Sequence, residues 1–427
     1  MKNTKALLIL SLFVWTLPAL TRAQKALTFE DCVKEATAHN PDLLSAQQSL
    51  KAADDSHIAS LGQFLPQINF GASIGRTGYG GFDDAISSPD YFQSSRLSLS
   101  ATQDIFSGFK DFASVDQSNA QLDIARAQLT QTKAQLSHDL KSAFYSLLYS
   151  QKQTDLLQII ADRNKANQDL VEMNFKGGTD NKGSLYQAQA SYQESLYEVD
   201  QAKRGLRVAQ RQLAQLLGRS GSDPVDVAGD FDVPAQSDAT PDFIQLTLNS
   251  PAHLQSLAQL HLSESGYVTA RGNFLPTLSA NASLSRTGDD FFNQVQPSWS
   301  AGLQLSLPLF TGGRDLFDLK SAEESKLGAE DNLKSSDLKT ESQLEAAYAA
   351  FQNAVQNTKV QESFLHAAQT REEIGKAEYL NGLLTFQNWD DLETNLTTQQ
   401  KSELSSYLSA KTAEAGWELT QGKGVIP

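Results

Sequence analysis

Histidine, cysteine and carboxylate side chains carry most protein chemistry, and in this 427-residue sequence they do not assemble into a reactive set. The six histidines stand at 39, 57, 138, 253, 261 and 366 without the spacing of a metal site. His253 and His261 lie eight apart on one expected helix and read as surface residues. Cys32 is the only cysteine, which excludes an intrachain disulfide and a multi-thiolate site. It reads as a small, partly buried residue of the first helix. Gly177, Gly178 and Gly183 form no phosphate loop, since no Gly-Lys-Ser/Thr follows, and Tyr79-Gly80-Gly81 reads as loop. The expectation is a protein with no catalytic residues, no metal and no cofactor, and not an enzyme. What remains is a late acidic stretch, Asn388-Trp389-Asp390-Asp391 with Glu393 close behind. Its plain reading is a solvated helix start, where acids suit the macrodipole.

The elements that must position those acids follow from composition. Lys+Arg number 35 against 50 Asp+Glu, a net charge of −15, which argues against nucleic acid or anionic lipid headgroups as partners, because phosphates need clustered cations. Apolar residues make up 40% and aromatics 8%, little for a thick core and better suited to extended, repetitive helix. The twelve prolines leave residues 90–223 and 309–426 free, runs of 134 and 118 residues. Interior proline removes a donor and clashes with the preceding turn, so such runs are what very long helices require.

Residues 1–23 carry Lys2 and Lys5, an apolar run from Ala6 to Leu20, and Thr21-Arg22-Ala23. This is the pattern of a secretory signal peptide cleaved between Ala23 and Gln24. Its removal leaves 32 basic against 50 acidic residues, a charge of −18. Cys32 lies too far in to be a lipid attachment site.

The rest is a duplicated unit, residues 24–222 and 223–427, joined by a linker from Gly218 to Pro241. The run from Phe64-Leu65-Pro66 to Gly78 recurs from Phe274-Leu275-Pro276 to Gly288, an offset of 210 with eight of fifteen positions identical. At offset 204, Phe106 and Gly108 match Phe310 and Gly312, Gly178 matches Gly382 and Gly218 matches Gly422. Each copy reads helix, strand, strand, long helix, helix. Strands are expected at about 67–78, 95–106, 277–288 and 299–310, and long helices at about 110–174 and 314–380. In the strands Ile68, Phe70, Ala72 and Ile74 alternate with Asn69, Gly71, Ser73 and Gly75, and Leu278 to Leu284 and Trp299 to Leu309 repeat the pattern. Period two with small polar residues between belongs to membrane strands with one lipid face and one wet face. Phe64, Phe106, Phe274 and Phe310 are expected to mark one end of these strands, and Tyr79, Tyr91, Phe92, Phe291, Phe292 and Trp299 the other, as interfacial girdles. A soluble β-sandwich fits less well, with only four strands expected. Four strands cannot close a barrel, and an open edge does not survive in lipid, so strands must be shared between chains; a trimer gives twelve. A heptad seam runs along Leu185, Tyr192, Val199, Leu206 and Leu213 with Ala188, Ser195, Ala202, Ala209 and Leu216 beside it. The narrow seams leave the remaining helix surface wettable, as in the wall of a water-filled tube.

On the duplicated Phe-Leu-Pro entry, Phe310-Thr311-Gly312-Gly313-Arg314, the turn motifs Phe175-x-x-Gly178 and Tyr379-x-x-Gly382, and Leu216-Leu217-Gly218, the mature chain resembles the TolC-like outer membrane efflux proteins. The resemblance implies a mainly α fold with a small membrane β part: a trimeric twelve-stranded β-barrel in the outer membrane of a Gram-negative bacterium, continued by a twelve-helix α-barrel through the periplasm. It also implies service as the exit duct of a tripartite efflux or type I secretion system, with a periplasmic adaptor (membrane fusion protein) and an inner-membrane pump as partners. The family closes its periplasmic end with an iris of helices carrying acidic rings. By that resemblance Asp391 is the matching acid, Asn388 replaces its companion, and Asp390 is adjacent. Three Asp391 carboxylates near an axis would attract cations and raise one another's pKa. Tyr379 matches the tyrosine of the family's iris latch, while Ser184 and Leu384 stand where its acid and arginine partners are expected. A periplasmic adaptor or coiled-coil scaffold is the competing reading, but an adaptor would carry one helical hairpin, not two with strands.

Overall fold

The computed structural model describes residues 26–78, 91–220, 225–234, 240–289 and 294–427. The signal-peptide reading, Tyr79 to Gly81, Phe291 and Phe292 therefore lie outside the described residues. The first half contains α1 (Phe29–His39), α2 (Pro41–Ser60), a 3-10 turn (Leu61–Phe64), β1 (Gln67–Gly78), β2 (Tyr91–Phe106), α3 (Lys110–Gly177) and α4 (Lys182–Leu216). The second contains α5 (Phe243–Leu248), α6 (Pro251–Gly272), β3 (Thr277–Gly288), β4 (Gln294–Ser306), α7 (Arg314–Leu380) and α8 (Phe386–Thr420).

The long helices α3 and α7 have 68 and 67 residues, each about 100 Å at 1.5 Å per residue. Their starts are set by glycine: Gly108, Gly312 and Gly313 take φ of 71°, 68° and 82°, a region other residues avoid. Phe109 shares that conformation at φ 68° and packs edge-on against Phe106 at 5.2 Å. The shorter helices α2 and α6 begin alike. Asn40 Oδ1 accepts from the Asp42 and Leu43 amides and Ser250 Oγ from that of His253, each followed by proline at the first helical position.

The strands form one antiparallel sheet in chain order, β1-β2-β3-β4, so β1 and β4 are open edges. Its rows carry the expected alternation. Phe70, Leu99, Leu284 and Trp299 lie side by side on one face, and Gly71, Ser98, Ser285 and Ser298 on the other. Ser283 and Ser285 hydrogen-bond Ser300 and Ser298 across β3 and β4 at 2.9 and 2.8 Å. Ile68, Phe70, Leu303 and Leu305 are each at least 68% exposed, an apolar face that no other described element covers.

Two strand limits differ from expectation. β2 starts at Tyr91 instead of 95, because Ser95 interrupts the apolar alternation while its buried hydroxyl donates to the Gly288 carbonyl. β4 spans Gln294–Ser306 instead of 299–310: Pro297 is tolerated on an edge strand, while Pro308 lacks the N–H to continue the ladder. Trp299 consequently sits inside the strand opposite Leu284, 80% exposed, and not at its end. At the other end Phe64 packs on Phe112 at 5.1 Å where strand meets helix.

The principal core lies midway along α3. It gathers Cys32, Ala36, Leu43, Leu140, Phe144, Leu147, Leu213, Leu217, Val225, Val227 and Ile426. Cys32 is fully buried, not partly, and burial pushes its thiol up to about 12, an inert position. Gly218 at φ 71° closes α4 against the His39 carbonyl, where a Cβ has no room. The second half is tied to this core by Lys141, 6% exposed, whose Nζ donates to Glu414 and Glu418 at 2.8 and 2.9 Å. His253, expected on the surface, instead faces Asp337 at 2.8 Å and joins α6 to α7.

Candidate functional site

The two helical hairpins end side by side, about a helix length from the sheet. The first turn follows α3: Gly178 closes it at φ 80°, and Asn181 opens α4 by accepting from the Ser184 amide at 3.0 Å. The second follows α7: Gly382 at φ 71° donates to the Tyr379 carbonyl, Leu383 donates to that of Glu378, and the Thr385 side chain accepts from the Asn388 amide. Between the turns lies an open groove of about 990 Å³ lined by Asn174, Asp180, Ser184, Gln187, Tyr379 and Phe386 among others.

Tyr379 joins the hairpins. Its hydroxyl donates to Asp180 Oδ2 and accepts from Asn174 Nδ2 at 3.1 Å. Burial and the Asp180 carboxylate push the phenol up to about 12, so it remains a donor at any physiological pH. The acid partner is thus Asp180, four residues ahead of the position expected from the family register, where Ser184 is buried and contributes its backbone. Leu384 packs beside the tyrosine, and the amide of Asn174 occupies the role foreseen for a cation. The ring is 7% exposed and stacks on Trp389 at 4.5 Å and 15°, with Phe386 edge-on to both. Val171, Leu185 and Ala188 of the first hairpin complete this cluster; Leu185 and Ala188 open the expected heptad seam, but their meeting with Tyr379 and Trp389 was not expected. Its one local signal is Phe386-x-x-Trp389 on the same face as Tyr379's turn.

The acids diverge. Asp391 is exposed, accepts a long bond from Gln387 at 3.4 Å, and lines a second groove of about 450 Å³ with Arg371, Glu378 and Asn388. Gly375 there lets α7 approach Leu392 of α8. Asp390 turns toward the first hairpin, and its carboxyl is raised by burial and then by Asp391, against a hydrogen bond from Gln187. Deeper by one turn, Glu393 is 6% exposed. Arg163 of α3 places Nε 2.9 Å from Glu393 Oε2, and its Nη2 donates to Thr397 at 2.8 Å. Burial pushes Glu393 up to about 7 despite that guanidinium, and Glu372 of α7 adds to the rise. Among the described residues no group of three or more His, Cys, Asp and Glu could hold a metal, and no helix is long and apolar enough to cross a membrane.

One four-stranded sheet with two open edges, continued by two long hairpins, defines a recurrent architecture, and comparison with known proteins finds it repeatedly. The sequence pattern of "Outer membrane efflux protein" matches residues 32–219 and 244–419. A curated relative, the probable outer membrane lipoprotein SilC of Salmonella typhimurium, is 22% identical over 92% of this chain and 85% of SilC. Among solved structures, CusC superposes with a TM-score of 0.83 at 17% identity, covering 93% of this chain and 92% of CusC. The open-state MtrE channel of Neisseria gonorrhoeae gives 0.81 at 16% identity, covering 93% of this chain and 89% of MtrE. At such identities the structures speak for the fold, and the pattern match over most of the sequence settles the family: this chain belongs to the outer membrane efflux proteins, channels and not enzymes.

Proposed function

We propose that three copies of this chain close a hollow trimer that serves as the passive exit duct of a tripartite export assembly, docking on a periplasmic adaptor and an inner-membrane pump. The observation that carries this reading is the four-stranded sheet with two open edges, one exposed apolar face and one small polar face. Unpaired edges are not tolerated in lipid, and three sheets joined edge to edge remove them all. The helices of about 100 Å then extend the lumen into the periplasm.

The hairpin tips form the gate of this duct. The Tyr379 hydroxyl holding Asp180, over the Trp389 stack, keeps the hairpins of one protomer together. Exposed Asp391 contributes a carboxylate per protomer to the mouth, with Asn388 beside it and Asp390 turned inward. Purified protein in a planar bilayer is expected to show a small, cation-selective conductance, and Asp391→Asn to reduce that selectivity. An anion-preferring pore, or selectivity unmoved by the substitution, would refute the role of Asp391.

A further inference from the structure

A guanidinium on the lipid face of a membrane strand is costly at mid-depth and tolerated only near the headgroups. The exposed apolar face of this sheet carries two. Strand pairing and alternation put Arg76 of β1 in line with Ile68, Phe70, Ala72 and Ile74, and Arg286 of β3 in line with Ala282 and Leu284. Both arginines are exposed, and no ion pair among the described residues engages either. They occupy one position of the duplicated unit, 210 residues apart, each nine residues beyond the start of its strand at Gln67 or Thr277. Nine residues rise about 30 Å along a strand, or about 23 Å along the membrane normal at a tilt of about 40°, close to the full height of about 25 Å of an outer-membrane apolar band. With the Phe-Leu-Pro entries at the periplasmic boundary, both guanidinium groups stand at the level of the outer-leaflet headgroups.

Their spacing suits a single headgroup. Arg76 pairs with Gln93 of β2 and Arg286 with Leu97 of the same strand. Two strand spacings and four residues along β2 therefore separate them, about 16 Å between backbones, a gap that two long side chains close from either side. Lower on the same face, the row Ala101, Ala282 and Ala301 leaves a shallow trough of about 500 Å³ bounded by Leu303, where an acyl chain can lie. The net charge of −15 speaks against anionic lipid as a general partner, but the acids are elsewhere. Asp104 is the single acid of the four strands, and it lies on the opposite, polar face beside Ser279.

We infer that the apolar face binds a phosphorylated glycolipid of the outer leaflet: Arg76 and Arg286 each hold one phosphate of a diphosphorylated headgroup, as in lipid A, and an acyl chain lies in the alanine trough. Arginine is the fitting cation, because its planar fork meets two phosphate oxygens at once where an ammonium is only a point charge. This rests on the barrel reading, which places the face in lipid, and adds a ligand to it.

Native mass spectrometry of the detergent-purified protein tests the site, with diphosphoryl lipid A, monophosphoryl lipid A and phosphatidylglycerol as probes. Wild type should retain diphosphoryl lipid A severalfold better than the monophosphoryl form and at least tenfold better than phosphatidylglycerol. Arg76→Gln with Arg286→Gln should lower that retention at least tenfold, and each single variant by less. Arg76→Lys with Arg286→Lys, which keeps the charge without the fork, should fall between. Arg96→Gln is the control: Arg96 is exposed at the same end of the sheet but on the polar face, between Ser73 and Thr287, and should change nothing. Retention unmoved by either double variant, or phosphatidylglycerol held as well as lipid A, overturns the lipid site. A conducting wild-type pore in planar bilayers beside that result leaves the barrel reading standing, whereas loss of retention confined to Arg96→Gln puts the polar face in lipid and overturns both.

Discussion

Substituting Glu393 by glutamine should abolish a pH dependence built into the hairpin junction. Glu393 of α8, Glu372 of α7 and Arg163 of α3 meet where three helices pack, two acids to one base. The carboxyl of Glu393 is closed off from solvent beside that of Glu372, with one guanidinium between two acids, so a proton on Glu393 would neutralise the site. Burial first, and the neighbouring Glu372 after it, push the Glu393 carboxyl up to about 7 against an ordinary 4.5. Below pH 4.5 the group is neutral in folded and opened states alike. Between 4.5 and 7 the opened state releases the proton while the folded state retains it, so the folded junction loses stability as pH rises, and above 7 the loss is complete. A displacement of this size corresponds to about 3 kcal/mol at 1.36 kcal/mol per unit, or roughly three-hundredfold in local opening over the full range. Hydrogen exchange of the assembled protein, corrected for intrinsic rates, reads it in peptides covering residues 368–380 and 386–400. Wild type should lose protection from pH 5.5 to 8. Glu393→Gln should hold its protection and be the better protected at pH 8, while Glu372→Gln, which removes a smaller cause of the rise than burial, should keep a weaker dependence. Identical profiles for wild type and both variants, or wild-type protection that rises with pH, would sink the argument.

Two further perturbations probe the tip. Tyr379→Phe removes the donor to Asp180 while keeping the stack; at about 1.5 kcal/mol for a part-buried bond to a charged group, the closed state should weaken about tenfold, read as a higher open probability in bilayer recordings, and an unchanged channel would leave Tyr379 a packing residue only. Trp389→Ala empties a site 1% exposed. It should cost about 3 kcal/mol, the low end for such a truncation, because the buried indole N–H has no partner to lose; thermal unfolding checks it, and a shift near zero would place Trp389 outside the core of the tip.

Much of this was legible from local pattern. The helix limits at Lys110, Arg314 and Leu380 agree with the proline-free runs and flanking glycines, and the seam from Leu185 to Leu216 is buried or half-buried throughout. Such features arise from contacts within a turn or across one pleat, which period and punctuation report directly. β4 was harder, because Leu307 and Leu309 continue the alternation although Pro308 cannot pair. Asp180 was missed because its side chain matters only once a tyrosine 199 positions later is brought to it.

The sequence alone indicated the two long helices and the four strands, the repeated unit, and a strand count too small to close a barrel. Only the tertiary structure decided that Tyr379 takes Asp180 and Asn174, that Trp389 lies beneath it, and that Arg163 meets Glu393 beside Glu372. The reason is geometric. An α-helix turns about 100° per residue, so one residue of slip between helices of this length would swing each of these side chains to another neighbour. Their pairing is set by the packing of whole helices, and no local period records it.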